Sequence, residues 1–538
     1  MSFKQLYEPC FKNIPLVNLS QQLQANGSNA QERCLTTLGS VFKSSNYVIF
    51  FIAQSSSSAF QETIASLQTC LRGRRSKSSS LSSNSSPAKF KRLFGLKKSK
   101  KTSLSDEINN YSIVVIDDET NPVDMQMDID CAVFVMPHSS ITYITKGRLL
   151  RALRAFHLPC LTVVECQSLS LTTSQGRRML TEDPNGDAFP WHDPPKSVFS
   201  GPILKNVVDP SGNKKFESVD SSSLAHCIKA IYFGAKWCPP CRSLNKQLQT
   251  AYEKLRSQCQ LPFEIIYCSL DRSEASFEEH FLSMPWLAFP FTSSYLHDLA
   301  RIYDVNGIPS VILLDEENNL ITRHGRSVLL SDPTGKDFPW KNQSIYELNE
   351  FTVNRIGDFP SLILFTEGTP EDTEFSIQLL KPFLSIYATN PNSNSPDNDK
   401  HGDNLSKKSG NTQSLSNSES SLIESDAILP SNVDHFQFFY TGEDPFCDYI
   451  LESLGLGQAE LPLIIICDVM AGHMAICDKP DVSETILADF INEYRNGRAN
   501  VVPLPYSNVP ETRKVGGIPV NVIEHLICNQ QAGTMVTK

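Results

Sequence analysis

One sixteen-residue segment occurs twice in this chain. Gly176-Arg177-Arg178-Met179-Leu180-Thr181-Glu182-Asp183-Pro184-Asn185-Gly186-Asp187-Ala188-Phe189-Pro190-Trp191 returns as Gly325-Arg326-Ser327-Val328-Leu329-Leu330-Ser331-Asp332-Pro333-Thr334-Gly335-Lys336-Asp337-Phe338-Pro339-Trp340, with nine of sixteen positions identical. The matches include glycines and prolines, which dictate backbone geometry, and a tryptophan. A shift of 149 residues is one domain length, so the repeat predicts two duplicated units rather than one large fold. A length of 538 residues leaves room for a third.

The chain divides accordingly. Residues 1–195 read as a first α/β unit, with strands at Tyr47–Ala53, Ile113–Ile116, Cys131–Met136 and Leu158–Val164. A helix is expected through about Cys70 and another near 147–156. Residues 72–105 form a Ser-rich basic insert whose polarity predicts disorder. Its runs Lys89-Phe90-Lys91-Arg92 and Lys97-Lys98-Ser99-Lys100-Lys101 suit a nuclear-import signal, an anionic-surface patch or a plain solvated loop.

Residues 197–341 form the second unit. Its strands are expected at Ala230–Phe233, Phe263–Leu270, Val311–Leu314 and Leu320–Thr322, with helices after Cys238, at 271–281 and at 295–303. Residues 342–500 repeat the pattern more faintly, with strands at Leu362–Phe365, Phe436–Tyr440 and Leu461–Ile465. A polar insert at 389–431 predicts disorder, and a last helix has Asp481 and Glu484 in capping-box spacing and stops at Gly497. Residues 501–538 read as a loosely ordered tail. Alternating β and α elements ending in a hairpin predict mixed central sheets flanked by helices.

The chemistry concentrates in Trp237-Cys238-Pro239-Pro240-Cys241, between a buried strand and an amphipathic helix with Leu244, Leu248, Ala251, Tyr252 and Leu255 on one face. Unpaired N–H groups and the positive end of the helix dipole favour a thiolate at Cys238. Prolines are tolerated in the first helical turn and stiffen the spacing between the sulfurs. Cys238 is the expected nucleophile and the more exposed sulfur, with Cys241 one turn behind it to resolve a mixed disulfide. A half zinc site is the rival reading, but no second CxxC or His-x₃₋₅-His exists, and Cys259 and Cys268 are nine residues apart, so no metal is expected. Matching Phe51-Ile52-Ala53 to Phe233-Gly234-Ala235 sets Ser56 and Ala59 where Cys238 and Cys241 stand, so the first unit lacks both thiols. In the third unit Thr369–Thr373 occupies the corresponding turn.

Pro309, after Ile308 and before a strand, is either a cis proline offering the Ile308 backbone to a substrate chain or an ordinary strand-entry proline. Leu158-Pro159 and Leu461-Pro462 match it in the other units. Trp286 either borders the active face or fills the core. Glu274 and Arg326 are candidates for proton transfer or substrate orientation, against the alternative of solvated faces or ion pairs. Tyr232 lies six residues before Cys238, inside the strand.

The net charge is −11, yet residues 71–101 carry 11 Lys/Arg and no Asp or Glu, so the remainder stands near −22 and disfavours nucleic acid. No apolar run has the length of a membrane span, and no secretory signal is evident at the N-terminus. Fifteen cysteines, an odd number without framework spacing, fit a reducing cytosolic or nuclear compartment.

Ile231 through Trp340 resembles the tryparedoxin/nucleoredoxin branch of the thioredoxin superfamily. The resemblance rests on Trp237-Cys238-Pro239-Pro240-Cys241-Arg242, Phe263-Glu264-Ile265-Ile266, Asp271-Arg272-Ser273-Glu274, Met284-Pro285-Trp286-Leu287-Ala288, Gly307-Ile308-Pro309 and Phe338-Pro339-Trp340. Three tandem thioredoxin-like units with the dithiol in the middle one alone extend it to almost the whole chain. It implies a protein-disulfide reductase that binds no cofactor and draws electrons from NADPH through thioredoxin reductase or a similar donor. No dinucleotide fingerprint is present in the chain itself. Typical thioredoxins carry an aspartate at the position of Tyr232, and its absence matches this branch. The resemblance also implies a redox-sensitive adaptor for a Dishevelled-like partner in Wnt signalling, in cytosol and nucleus. The basic Ser-rich insert in the first unit and the long polar insert in the third depart from that pattern and weaken this transfer, since either would displace or replace a partner surface.

Overall fold

The run Tyr47–Ala53 is apolar at every position but its first residue, the composition of a strand covered on both faces. In the computed structural model it is an interior strand of a seven-stranded sheet. The structure describes residues 2–19, 35–53, 57–83, 110–117, 131–137, 141–155, 158–193, 202–208, 214–258, 262–291, 295–303, 305, 307–340, 345–387 and 435–505. Tyr47–Ala53 pairs parallel with Tyr111–Asp117 and antiparallel with Cys160–Glu165. Ala132–Met136 and Ser170–Thr173 lie outside those two, and the antiparallel pair Pro15–Asn18/Leu35–Thr37 closes the far edge.

The second sheet repeats this order strand for strand. Ile228–Gly234 lies between Phe263–Ser269 and Ser310–Leu314, flanked by Leu287–Ala288 and Leu320–Thr322. The pair Pro202–Val208/Lys214–Asp220, which periodicity did not reveal, occupies the same far edge as the first pair. The duplication therefore extends well beyond the sixteen repeated residues. Within them, Gly176–Glu182 and Gly325–Ser331 are helices, and each is followed by an aspartate that organises the next loop. Asp332 accepts from the Lys336 amide at 2.8 Å, the Asp337 amide at 2.9 Å and the Trp340 indole at 2.9 Å. Asp183 does the same for Asp187, Ala188 and Trp191, each at 2.9 Å. Burial works against the Asp332 charge, but these donors outweigh it and hold the carboxyl below its usual range.

The third sheet has six strands. Ser361–Phe365 is paired with Gln437–Tyr440 and Leu463–Asp468, and His473–Ile476 follows. Beyond Gln437–Tyr440 the edge is Ile345–Glu347, from before the central strand. In the first two sheets the strand at that position, Ala132–Met136 or Leu287–Ala288, comes from chain that follows the central strand. Each sheet buries an apolar cluster on both faces. Among the described residues no helix is long and apolar enough to cross a membrane.

Several boundaries differ from the sequence expectation. The first helix runs Ser58–Ser83, past Cys70 and into the basic segment, because a helix continues through polar residues once nucleated. The next is Tyr143–Ala152, capped by Thr142. The last helix, Glu484–Arg495, starts from Ser483, whose hydroxyl accepts from the Ile486 amide, and not from Asp481. It does end before Gly497, at φ +69°. Val501–Pro503 belongs to the third sheet and not to a tail. The lysine runs at 89–101, most of the insert at 72–105, the polar insert at 389–431, Ser56, Cys259 and residues 506–538 lie outside the described residues.

Helix Tyr143–Ala152 serves two units. Leu149 and Leu150 are buried in the first unit's core, and Ile144 is buried in the third's. Arg151 Nη1 reaches both oxygens of Asp468, at 2.8 and 2.9 Å. Tyr143 donates to the Ala499 carbonyl at 3.2 Å. A side chain at Gly147 would meet Asp468 Oδ2 at 2.8 Å, so glycine is required for this approach. Burial opposes the Asp468 charge, but Arg151, His473 and the Ala471 amide more than offset it and lower the carboxyl's pKa. Arg151→Ala leaves that charge buried without its main partner and is expected to cost about 3 kcal/mol. Urea unfolding followed separately in the first and third units checks this: both midpoints fall together if the contact locks them, and unchanged midpoints refute the lock.

Candidate active site

All seven residues of Ile228–Gly234 are buried, and the strand is hydrogen-bonded on both sides. Even Lys229 is only 2% exposed, with Nζ held by the carbonyls of Cys227, Asp315 and Glu316 at 2.8, 3.0 and 3.2 Å. The chain leaves this fixed strand at Ala235, turns at Lys236 and Trp237, and enters helix Pro239–Gln258. Cys238 stands at the N-cap, with Pro239 and Pro240 exposed in the first turn and lacking N–H groups. The Cys241 amide donates to Cys238 Sγ at 3.3 Å. This is the capping bond that Ser, Thr, Asp and Asn make elsewhere, here directed at a sulfur.

Cys238 is 5% exposed and Cys241 is fully buried. The order of exposure matches expectation, although neither sulfur lies open. Cys238 Sγ faces the Ile308 carbonyl at 3.9 Å, and Ile308-Pro309 is cis, as are Leu158-Pro159 and Leu461-Pro462. Ile308 packs against Ala235, Cys238 and Cys241. Burial pushes the Cys241 thiol up to about 12, reinforced by its bond with Cys238 and by the charges of Cys238 and Asp271.

Trp237 is 50% exposed, with its indole donating to the Leu270 carbonyl at 3.1 Å and Arg272 lying 5.2 Å from its ring. Tyr232 is buried and donates to the Cys241 carbonyl at 3.1 Å. Its phenol fills the space that a side chain at Gly234 would take, 2.8 Å away, so tyrosine at 232 demands glycine two residues on. Burial raises the Tyr232 pKa, as do the neighbouring cysteines, so it serves as a donor and not as a base. Trp286 fills the core, edge-on to Tyr232 and Tyr252 at 6.3 and 5.6 Å. Glu274 and Arg326 are exposed near the starts of their helices, and no contact described here brings either to the sulfurs.

The other two units build the same turn without sulfur. In the first, Ser57 Oγ accepts from the Phe60 amide at 3.1 Å. Ser57 and Phe60, and not Ser56 and Ala59, therefore stand where Cys238 and Cys241 do. Strand pairing agrees: Cys160 after Pro159 lies opposite Ile52, as Ser310 after Pro309 lies opposite Phe233. Matching Phe51 to Phe233 slips the register by one, which exchanges the two faces of the sheet. Phe51 packs with Phe60 on the side of the helix that follows it, whereas Phe233 packs on the side away from Leu244 and Leu248. In the third unit, Thr369 Oγ1 accepts from the Asp372 amide at 3.2 Å, within the expected turn.

Sequence reasoning did not single out Asp271, Tyr267 and His280, although Asp271 accepts from the Lys236 amide, two residues before Cys238, at 2.8 Å. The available signal was position: a carboxylate just past the end of a parallel strand sits at the same sheet edge as the neighbouring turn. Among the described residues no group of three His, Cys, Asp or Glu could hold a metal ion.

Two family models match the chain, one described as Thioredoxin-like over residues 228–320 and one as Thioredoxin-like, C-terminal domain over 342–498. Nucleoredoxin of Mus musculus is 30% identical over 365 residues, covering 67% of this chain and 73% of that protein. Tryparedoxin of Trypanosoma brucei brucei is 34% identical over 143 residues, 26% of this chain and 94% of its own. The crystal structure of native tryparedoxin I from Crithidia fasciculata is 35% identical with a TM-score of 0.23, over 26% of this chain and 92% of that one.

The burial difference has a direct chemical consequence. Limited iodoacetamide at neutral pH is expected to label Cys238 ahead of Cys241 in the reduced protein, read by peptide mass spectrometry. Preferential labelling of Cys241 would reverse the order of the two sulfurs.

Proposed function

This chain belongs to the nucleoredoxin family of thioredoxin-like oxidoreductases, and we propose that it reduces disulfides in protein substrates through Cys238 and Cys241. The observation that supports this most is the capping bond from the Cys241 amide to Cys238 Sγ, with the second thiol buried directly behind the first. The Cys238 thiolate attacks one sulfur of a substrate disulfide, forming a mixed disulfide and releasing the other sulfur as a thiolate. Cys241, losing its proton, then attacks Cys238 Sγ and releases the second substrate sulfur. The protein ends with a Cys238–Cys241 disulfide and the substrate with two thiols. Two electrons from NADPH, delivered by a separate reductase such as thioredoxin reductase, restore the dithiol.

Trp237 supplies an apolar surface beside Cys238, and the Ile308 carbonyl offers an acceptor to an extended substrate chain. Pro239 and Pro240 limit the first-turn donors near the sulfur to the Cys241 amide. Glu274 and Arg326, being exposed, are left to contact substrate and not the sulfurs.

A second reading draws on the two thiol-free copies of the fold, docked through Arg151 and Asp468. They suit a recognition scaffold in a redox-gated adaptor for a Dishevelled-like partner of the Wnt pathway, in cytosol and nucleus.

Insulin reduction coupled to NADPH and thioredoxin reductase separates the two readings. The wild-type chain is expected to turn over, Cys238→Ser to fall to background, and Cys241→Ser to accumulate mixed disulfides visible on non-reducing gels. Equal rates for wild type and Cys238→Ser reject the enzyme. No turnover together with dithiol-dependent partner binding favours the adaptor.

A further inference from the structure

Beneath the dithiol turn lies a buried polar cluster that the exchange chemistry above does not use. The Asp271 side chain is completely shielded from solvent. Its Oδ1 accepts from the Lys236 amide at 2.8 Å. Its Oδ2 accepts from Ser269 Oγ at 2.9 Å and from the Tyr267 hydroxyl at 3.0 Å. The same hydroxyl lies 3.1 Å from the Gly234 carbonyl, which already accepts from the Leu270 amide at 2.9 Å. The carboxylate thus ties the end of one strand, Phe263–Ser269, to the chain leaving its neighbour for Cys238.

His280 completes the cluster, with Nδ1 3.0 Å from the Tyr267 oxygen and Nε2 buried without a partner. A phenol has one proton; given to Asp271, it leaves the oxygen free to accept from Nδ1–H. His280 is then the neutral Nδ1–H tautomer, whose bare Nε2 costs less to bury than an unpaired N–H. Burial lowers its pKa, with Lys236 and Arg242 adding to the effect against the pull of Asp271. On the opposite side of the clasp, Arg242 Nη1 donates to the Lys236 carbonyl at 2.8 Å, and the Lys236 ammonium pairs with Glu279. The peptide units on both sides of Lys236 are therefore held.

We propose that Asp271, anchored by Tyr267 and Ser269, is a positioning residue of the dithiol: it fixes the turn that presents Cys238 and is the buried anion against which Cys241 must ionise. The inference rests on the Cys238/Cys241 exchange reading. Tyr232 is uncharged and already committed to the Cys241 carbonyl, so it leaves this charge unopposed. The titratable neighbours that act on Cys241 are Cys238, which its amide caps, Tyr232, whose hydroxyl meets its carbonyl, and Asp271, which holds the Lys236 amide at the start of the same turn. A like charge nearby raises the thiol's pKa, and removing it lowers that pKa.

The test follows the full-length reduced protein mixed with 5,5′-dithiobis(2-nitrobenzoate) in a stopped-flow instrument. The first release of coloured thiolate reports attack by Cys238, and the second reports resolution by Cys241. Asp271→Asn keeps an oxygen for the Lys236 amide but removes the charge. It is expected to move the acid limb of the second phase about one pH unit lower. At pH 7 that makes resolution about three- to fivefold faster, since the gain in thiolate exceeds the loss of nucleophilicity. Tyr267→Phe keeps the charge and the ring but removes the anchor, and is expected to slow both phases at least threefold without moving the limb. An unmoved limb in Asp271→Asn overturns the inference, and so do wild-type rates in Tyr267→Phe. The Tyr267→Phe result decides alone if Asp271→Asn does not fold. A second phase that persists in Cys241→Ser instead overturns the exchange reading, and this inference with it.

Discussion

Everything the site can do depends on an amide pointed at a sulfur. Cys238 caps its helix from the end of a strand that is buried on both faces and hydrogen-bonded along both edges. A less constrained strand would let the turn wander, and the 3.3 Å approach of the Cys241 amide to Cys238 Sγ would be lost. The same arrangement buries Cys241 one helical turn behind, where desolvation keeps its proton on. The two thiols thus differ in setting because they occupy opposite sides of one N-cap: one at the mouth of the turn, the other beneath it.

The three units separate fold from chemistry. Ser57, Cys238 and Thr369 make the same backbone-to-side-chain cap, so the capping geometry itself tolerates oxygen or sulfur. At the second position Phe60 and Cys241 are buried alike, and Asp372 is partly exposed. The scaffold survives loss of the thiols because its stability resides elsewhere, in the paired central strands and in loops such as those around Asp183 and Asp332. Each of those aspartates satisfies two amides and an indole. The sixteen-residue repeat is conspicuous in the chain because every one of those partners has to recur at a fixed spacing.

The outer units contact each other through helix Tyr143–Ala152, whose successive turns face two cores. Burial of the Arg151–Asp468 pair makes this contact specific rather than strong, since two desolvated charges gain little over apolar packing but cost heavily if one is removed. Between the middle and third units, His324 Nε2 lies 3.3 Å from Asp358. The dithiol unit is therefore tethered to a body that contains two versions of its own fold.

Much of this was legible from residue order alone. Apolar runs marked the central strands because a doubly covered strand must be apolar. The repeat predicted two like units because its glycines, prolines and tryptophan serve a local loop that needs no distant partner. The pentapeptide marked the dithiol for the same reason: strand, turn and helix cap are contiguous in sequence. What escaped was whatever depends on neighbours far along the chain. The equivalents of the cysteines in the first unit shifted by one, to Ser57 and Phe60, because letters match in either register whereas strand pairing and core faces admit one. The strand Pro202–Val208 lies second from the edge, half exposed, where no periodicity distinguishes it. Trp286 was undecided between core and active face until packing against Tyr232 and Tyr252 placed it inside. Asp271, Tyr267 and His280 became a cluster only when a parallel strand and the following helix brought them under the turn at Lys236. Local chemistry was thus determined by sequence, because caps and turns close within a few residues; the environment of that chemistry was decided by tertiary structure, because burial and charge proximity exist only between segments that folding brings together.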